Sequence, residues 1–272
     1  MKLTKDIYLY LTNFVDDKTI LNMLSVNKKF NNPDFFQQVI RTKYPLLIEY
    51  KDETITWRKF YVNLIFSIFM IKEKYNIEFN GQYNPIKFYK SWKVMITKYP
   101  KIKDDPSVDN NLAIRRACDN GHLDVVKYLM SLPGKIDPSS ENNYSIIMAS
   151  LNGHLEVVKY LISLPKEYGI DPSANNNEAI ILASKYGHLE VVKYLMSLPK
   201  EYKIDPCVDN NEAIRYACQR GHLEVVKYLM SLPGNIDPSA ENNAAIRWAS
   251  RKGHLEVVKY LMSLHKEYGI RL

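Results

Sequence analysis

Apolar residues recur three and four positions apart along most of this chain, the spacing that places them on one face of an α-helix. From about residue 108 onward the pattern comes in pairs of helices, and a proline follows each of the first four pairs. These periods predict an all-α fold. In the fourth pair the predicted inward-facing side chains are Ala213, Ile214, Ala217 and Cys218 on the first helix, and Leu223, Val226, Leu229 and Met230 on the second.

A twelve-residue phrase, GHLEVVKYLMSL in its fourth copy, occurs five times with few changes. The copies begin at Gly121, Gly153, Gly187, Gly221 and Gly253, at spacings of 32, 34, 34 and 32 residues. A fixed period in this range is typical of stacked repeats, none of which can bury its apolar face alone. Asp-Pro followed by Asn-Asn predicts a short hairpin-like turn before each first helix, and the glycine ends that helix. We therefore predict an α-solenoid of five repeats at about residues 108–139, 140–173, 174–207, 208–239 and 240–272.

The first 107 residues lack this period and are predicted to form separate helices. Residues 1–44 read as three short helices, the third beginning at Asn32-Pro33. Thr56 is predicted to cap a helix from Trp57 to about Tyr75 that is apolar almost all round and therefore fully buried. Pro85 is predicted to open another. We interpret residues 1–44 as a small helical domain and residues 45–107 as a helical adaptor that caps the first repeat.

The repeated phrase resembles the ankyrin repeat, whose Gly-His-x-Glu-Val-Val-Lys-x-Leu-Leu it matches almost residue for residue. The resemblance covers residues 108–272 and implies helix-turn-helix repeats that bind other proteins. One departure is the family's Thr-Pro-Leu-His tetrapeptide, which is replaced here by segments such as Glu212-Ala213-Ile214-Arg215. The Asn-rich repeats, paired with the N-terminal segment described next, resemble ankyrin proteins of large DNA viruses.

Residues 1–44 resemble an F-box, which opens with Leu-Pro, an acidic residue and Ile and ends with Val-Cys-Lys-x-Trp. The matching residues are Leu3, Asp6, Ile7, Leu11, Ile20, Leu24, Val26 and Lys28. The departures are Thr4 for Pro, Asn27 for Cys and Phe30 for Trp. The resemblance implies docking on the small adaptor subunit of a cullin–RING ubiquitin ligase. The docking residues that it implies are Leu3, Ile7, Leu11, Ile20 and Leu24.

The net charge of +7 lies wholly in the N-terminal part of the chain. Residues 1–107 carry 18 Lys and Arg against 11 Asp and Glu, whereas residues 108–272 carry 19 of each. The N-terminal lysines are scattered and form no dense cluster, so the pattern favours a solvated basic surface over a nucleic-acid site. Nucleic acid is therefore not an expected partner.

Neither a signal segment nor a membrane span is expected from the hydropathy pattern. The chain opens without an apolar run, and the most apolar stretch, Tyr61–Ile71, is too short to cross about 30 Å of hydrocarbon as a helix. Three cysteines, Cys118, Cys207 and Cys218, are too few for a disulfide framework. We expect an intracellular, cytoplasmic protein, located in the host-cell cytoplasm if it is viral.

Candidate catalytic and metal-binding groups occur only as repeated turn residues. Successive Gly-His pairs lie one repeat apart, so no three or four of these histidines can converge on one zinc ion. The repeated Asp-Pro pairs are turn formers spread along the solenoid. The sequence contains no phosphate-binding loop, GxGxxG or GxSxG motif. We expect no enzyme activity, no cofactor and no metal site.

The informative variation lies on the first helix of each repeat. Aligned copies keep the second helix nearly constant, while outer positions of the first helix change in size and charge, which core packing does not tolerate. In ankyrin proteins this side is the concave binding surface, and Tyr, Trp and Arg are enriched at interface hot spots. The predicted target-binding residues are Arg115, Arg116, Tyr144, Met148, Leu151, Leu182, Tyr186, Arg215, Tyr216, Arg220, Arg247 and Trp248. Neutral drift at exposed positions is the alternative explanation.

The favoured function is a non-enzymatic adaptor that captures a target protein on the repeats and docks on a ubiquitin ligase through residues 1–44. The alternatives are an ankyrin protein that masks its target without a ubiquitin link, and a nucleic-acid-associated protein that uses the basic N-terminal half. Because no polar capping repeat follows the fifth, we also expect weak self-association at the C-terminal end.

Overall fold

The computed structural model describes residues 53–75, 84–132, 136–234 and 236–270, with positions 36, 37, 39–41, 44, 45, 48 and 51. The chain divides into two compact units, Met1–Lys103 and Asp104–Leu272. Regular structure in the described residues is helical, and no strand occurs among them. The predicted all-α fold is confirmed. No helix in these described ranges is long and apolar enough to cross a membrane.

The first unit contains two long helices that begin where the sequence predicts. Helix α1 spans Trp57–Tyr75, and the Thr56 hydroxyl accepts a hydrogen bond from the Lys59 amide at 3.2 Å. Helix α2 spans Pro85–Lys98 and is followed by a 3₁₀ turn. The Asn84 side chain accepts hydrogen bonds from two amides of the first turn of α2, and Pro85 needs no amide partner there.

The described residues of this unit include a buried apolar cluster. Its buried members are Phe36, Val39, Ile40, Phe60, Tyr61, Leu64 and Ile65. Some of these residues precede the predicted domain border at residue 44 and others follow it. This border and the other domain borders stay predictions. The expectation of full burial around α1 is wrong at Val62, which is 37% exposed because only one side of the helix meets the cluster. The predicted ligase-docking residues lie outside the described residues.

The second unit is a stack of five helix pairs. First helices pack on first helices of the next pair, second helices on second helices, and each first helix on its own second helix. A one-turn helix, α13, spans His265–Tyr268. The pairs are α3 Val108–Asp119 with α4 Leu123–Ser131, α5 Ser140–Leu151 with α6 Leu155–Ser163, α7 Ala174–Lys185 with α8 Leu189–Met196, α9 Val208–Arg220 with α10 Leu223–Ser231, and α11 Ala240–Arg251 with α12 Leu255–Ser263.

Burial in the fourth repeat confirms the predicted face of the first helix and corrects that of the second. All four predicted residues of α9 are 0% exposed. On α10, Val225, Val226 and Leu229 are buried, whereas Leu223 and Met230 are only half-buried. The buried stripe is displaced because α10 packs on α9 and also on the second helices of both neighbouring repeats, which encloses two adjacent valines.

Each predicted hairpin-like turn contains three consecutive residues in the left-handed conformation. In the fourth repeat they are Asp209, Asn210 and Asn211, with φ of 50°, 56° and 62°, and the right-handed part of α9 follows from Glu212. All five repeats share this geometry. L-residues visit this region mostly one at a time, and Asn and Asp at least cost, which explains the Asn-Asn pair in every copy.

Hydrogen bonds join these left-handed turns from one repeat to the next. The side-chain oxygen of the third turn residue accepts the amide of the aspartate that opens the following turn, as in Asn177 to Asp205 at 2.9 Å and Asn211 to Asp237 at 3.0 Å. That aspartate in turn accepts the amide two residues later, as Asp237 does from Ser239. Each turn is therefore completed by its neighbour.

A glycine and a histidine form a second contact between repeats. Each glycine that ends a first helix has positive φ, and in the first four repeats the ring of the next repeat's histidine lies directly over it. A Cβ atom at Gly221 would lie 2.5 Å from Nδ1 of His254. The equivalent position at Gly253 has φ +76° but nothing within 4 Å. Two constraints therefore favour glycine at Gly221, namely the positive φ and the nearby histidine ring, whereas only the positive φ favours it at Gly253.

The third repeat, with three turn asparagines, allows a matched test of the bond between turns. Asn177→Ala and Asn175→Ala both lose the tolerance of asparagine for positive φ, but only Asn177→Ala leaves the Asp205 amide without its acceptor. We expect Asn177→Ala to lower the free energy of unfolding by about 1–2 kcal/mol more than Asn175→Ala. Urea unfolding monitored by circular dichroism measures the difference, and equal losses would contradict the bond's role.

The glycine pair allows a second matched test. Gly253→Ala should cost about 1–2 kcal/mol, because its Cβ meets only the backbone penalty of positive φ. Gly221→Ala should cost about 1–3 kcal/mol more, because the His254 ring must move as well. The readout is the free energy of unfolding in urea. If the two variants lose the same free energy, the histidine contact contributes nothing.

Candidate functional site

Eleven of the twelve predicted target-binding residues lie on the first helices, Tyr186 directly follows the end of α7, and none of the twelve is buried. Tyr186 is the most exposed large aromatic residue among them, at 42%. One neighbouring outer position differs from expectation, because Ala244 is only 2% exposed. The structure therefore brings the predicted residues to one accessible face, here called the first-helix face. Their role in target binding stays a prediction.

Six residues of repeats three to five form a connected set on this face, here called the cation–aromatic patch. They are Lys185, Tyr186, Arg215, Tyr216, Arg220 and Trp248. The Lys185 ammonium lies 4.5 Å from the centre of the Tyr216 ring and 5.9 Å from that of Tyr186. The Arg220 guanidinium lies 5.6 Å from the Tyr186 ring, and Arg215 lies 5.6 Å from the Trp248 ring. Cations at these distances are attracted by the negative face of the ring.

Tyr216 is at the centre of the patch. Its ring stacks on Trp248 with centroids 6.3 Å apart and planes 16° from parallel. A hydrogen bond with Glu212 raises the pKa of Tyr216, burial and the Glu212 charge raise it further, and Arg215 opposes them. The Tyr216 hydroxyl therefore stays neutral at physiological pH. Lys185, which holds the two tyrosines together, was among the variable positions but not among the predicted binding residues.

Three of the predicted arginines also have a structural role that the sequence did not reveal. Arg115 and Arg215 each donate two hydrogen bonds, at 2.7–2.9 Å, to carbonyl oxygens of the left-handed turn in their own repeat. Arg247 donates one at 3.2 Å. Repeats two and three have buried isoleucines, Ile147 and Ile181, at this position. Hydrogen bonds from arginine therefore stabilise the turns in repeats one, four and five, and each guanidinium has further donors.

The first two repeats present a different surface. Arg116 pairs with Asp119 at 3.1 Å within its own helix. Tyr144 contacts the Arg115 guanidinium at 5.4 Å. Met148, Leu151 and Leu182 follow as half-buried apolar side chains in repeats two and three. Along the first-helix face, the chemistry therefore changes from internally paired charge through apolar side chains to the cation–aromatic patch.

The repeated histidines, the strongest candidates for metal ligands, contact backbone instead. Nε2 of His154 lies 3.2 Å from the Asp119 carbonyl oxygen, and Nε2 of His254 lies 3.1 Å from that of Gln219. These nitrogens face acceptors and so carry the ring hydrogen. No group of three or more His, Cys, Asp or Glu that could hold a metal ion occurs among the described residues.

A cleft of about 340 Å³ lies away from the first-helix face, between the loops of repeats two and three. These loops contain the 3₁₀ turns Lys166–Tyr168 and Lys200–Tyr202. The lining mixes charges of both signs, and Lys166 pairs with Glu201 across it at 3.3 Å. Its charged groups neutralise each other, so the cleft shows no preference for a charged ligand.

Comparison with known proteins agrees with this geometry. A family model described as ankyrin repeats (3 copies) matches residues 93–176, 114–208 and 180–271. These overlapping matches cover more than half of the chain, so the protein belongs to the ankyrin-repeat family. Stacked repeats of this class are protein-interaction modules that bind on an extended surface. Among curated proteins, no match to this chain is found.

The histidine contacts predict a pH dependence of stability. Burial lowers the pKa of His222, the charges of His188, Arg220 and His254 lower it further, and a hydrogen bond to the Lys185 carbonyl opposes them. The unfolded chain, with an ordinary pKa of about 6.5, takes up the proton first. The stability contribution of His222 is therefore present above about pH 6.5 and is lost as the pH falls below that value.

We expect the urea concentration at the unfolding midpoint to be lower at pH 5.5 than at pH 7.5. This decrease should be smaller in His222→Asn than in the wild type. The quantity compared is the slope of the free energy of unfolding against pH, so a general destabilisation by the substitution does not obscure the result. Identical slopes in the two proteins would refute the assignment.

Proposed function

We propose that this protein is a non-enzymatic adaptor whose first-helix face captures a target protein. In the same proposal, the F-box-like residues 1–44 dock on the small adaptor subunit of a cullin–RING ubiquitin ligase. The protein then supplies proximity between target and ligase, and the ligase supplies the chemistry. The setting is the cytoplasm, which three free cysteines support, because a reducing compartment leaves thiols unpaired.

The observation that carries the target-binding half is the contrast between the two helices of each repeat. The second helices repeat one sequence with few changes and use it for packing. The first helices place different accessible side chains at one equivalent position, Arg116, Met148, Leu182, Tyr216 and Trp248 in order. A surface whose side chains differ from repeat to repeat supports recognition of one particular partner.

The composition of this face supports binding that is strong for its area. Tyr and Trp offer large contact areas with few rotatable bonds, and Arg adds several hydrogen-bond donors; these residue types dominate interface hot spots. Contacts such as Lys185 on Tyr216 hold the side chains before a partner arrives. Less conformational entropy is then lost on binding.

The ligase half of the proposal is supported by sequence alone. Leu3, Ile7, Leu11, Ile20 and Leu24 have the spacing of two apolar helix faces and match the F-box pattern. Apolar residues exposed on a small helical unit are typical of a partner-binding surface. Target capture alone would make the protein a masking factor, so the two halves need separate tests.

Target capture is tested by affinity purification and mass spectrometry with the full-length protein as bait. Tyr186→Ser removes an exposed ring from the first-helix face, and Tyr168→Ser, in a loop outside that face, is the matched control. We expect Tyr186→Ser to reduce recovery of the target about tenfold or more, as for a hot-spot residue, with Tyr168→Ser unchanged. Equal recovery with both variants would refute binding through this face.

Leu11→Asp tests the ligase link in the same experiment. A charge on the apolar docking surface should abolish co-purification of the cullin adaptor subunit and leave target recovery unchanged. If the wild type recovers the target but no cullin adaptor subunit, the masking function replaces the adaptor function.

A further inference from the structure

We propose that repeats three to five recognise an acidic, extended polypeptide segment, with carboxylates about three residues apart. This inference rests on the proposed function, because it names the chemistry of the target that the first-helix face captures. It is carried by the charges at the C-terminal ends of helices α7, α9 and α11, which are independent of the F-box-like resemblance.

Those three helix ends are basic and lack carboxylates. They carry Lys185, Arg220, Arg251 and Lys252, with neutral side chains between them. Among the described residues, no carboxylate oxygen forms an ion pair with any of the four, and Lys185 and Arg220 contact aromatic rings instead. A cation above a ring keeps part of its ammonium or guanidinium group free for an anion.

Lysines on the second helices of the same repeats are neutralised inside the chain. Lys193 pairs with Glu190 at 2.8 Å, Lys227 with Glu224 at 2.9 Å and Lys259 with Glu256 at 2.8 Å. In repeats three to five, the lysines Lys193, Lys227 and Lys259 of the second helices are therefore paired with carboxylates, whereas, among the described residues, the basic residues at the ends of the first helices are not. The unpaired positive charges on the first-helix side would complement the negative charges of an anionic partner.

Stabilisation of helix ends does not account for the basic positions. Cations at a helix C-terminus do interact favourably with the helix dipole. The equivalent ends of α3 and α5, however, have Asp119-Asn120 and Leu151-Asn152 and are equally helical. The nearby carboxylates of the third and fourth repeats are already engaged, Glu178 with Asn175 and Glu212 with Tyr216.

The spacing of the repeats determines the form of the segment. Packed helices lie about 10 Å apart, so the basic ends of three successive repeats extend over about 20 Å. A chain in the extended polyproline II conformation advances about 3.1 Å per residue with three residues per turn, so about three residues of a bound peptide correspond to each repeat and every third side chain points the same way. Carboxylates at every third position would each meet one basic helix end.

The aromatic contacts favour a peptide over single-stranded nucleic acid. Proteins that bind single strands stack bases on the open faces of aromatic rings. Here each ring of the patch already has two neighbours from the chain: Tyr186 has Lys185 and Arg220, Tyr216 has Lys185 and Trp248, and Trp248 has Arg215 and Tyr216. Arg220 is exposed and Lys185 is half-buried, so both are accessible to carboxylates, whereas the rings already have neighbours within the chain.

The test uses the full-length protein and a fluorescein-labelled peptide, (Glu-Gly-Ser)4, with (Gln-Gly-Ser)4 as the uncharged probe and a labelled twelve-nucleotide oligothymidine as the nucleic-acid probe. Fluorescence anisotropy is measured at low and at physiological salt, because screening weakens exposed charge pairs. We expect saturable binding of the Glu peptide, weaker at the higher salt, and no binding of the Gln peptide.

Two variants of the fourth repeat localise the site. Arg220→Gln and Lys227→Gln each remove one exposed positive charge, the first from the patch and the second from a paired position on α10. Arg220→Gln should weaken binding of the Glu peptide about tenfold, the loss expected for one charge-assisted hydrogen bond, and Lys227→Gln should leave it within about twofold. Matching circular dichroism melts for both variants show that folding is intact.

Three outcomes would overturn the inference: no saturable binding of the Glu peptide, equal weakening by the two variants, or tighter binding of oligothymidine than of the Glu peptide. Each leaves the proposed function standing if Tyr186→Ser still loses the captured target. Conversely, peptide binding that depends on Arg220 supports the inference even if the ligase link fails.

Discussion

Each repeat depends on its neighbour to satisfy the backbone of its turn. The amide of Asp205 finds its acceptor on Asn177 of the preceding repeat, and the amide of Asp237 finds its acceptor on Asn211. An exposed turn could bond to water, but the acceptor residues Asn177 and Asn211 are only 7% and 8% exposed, so water has little access to them. The histidine ring over the preceding glycine makes a second link of the same direction. Stability is therefore a property of adjacent pairs, as in other repeat proteins.

This arrangement separates packing from recognition. The links between repeats use turn residues and the buried sides of the helices, which leaves the outer positions of the first helices without a structural task. Arg115, Arg215 and Arg247 are exceptions, because they donate hydrogen bonds to the left-handed turns and also lie on the first-helix face. In repeats two and three the equivalent positions are the buried Ile147 and Ile181, so that part of the surface is less polar.

Sequence periodicity predicted the repeats, their helix pairs and the inward residues of the first helices, because those features follow from 3.6-residue spacing and from glycine and proline positions. It misplaced the buried stripe of the second helix, since Val225 is enclosed by neighbouring repeats that local spacing does not describe. The left-handed turns were only partly foreseen: Asn-Asn indicates tolerance of positive φ, but not three such residues in a row. The predicted face is accessible, but the sequence did not reveal the ring contacts of Lys185, because they come from tyrosines of two different repeats.

The hydrogen bond between turns also forms with different lengths of chain between its two partners. Asn111 and Asp137 are 26 residues apart and Asn143 and Asp171 are 28 apart, yet both pairs bond at 2.8–2.9 Å. The extra residues are taken up by the loop after the second helix, and at Gly234 in such a loop an added side chain would meet nothing within 4 Å. These loops are therefore natural positions for attaching a spectroscopic label or an affinity tag, because the bond between turns forms with either loop length.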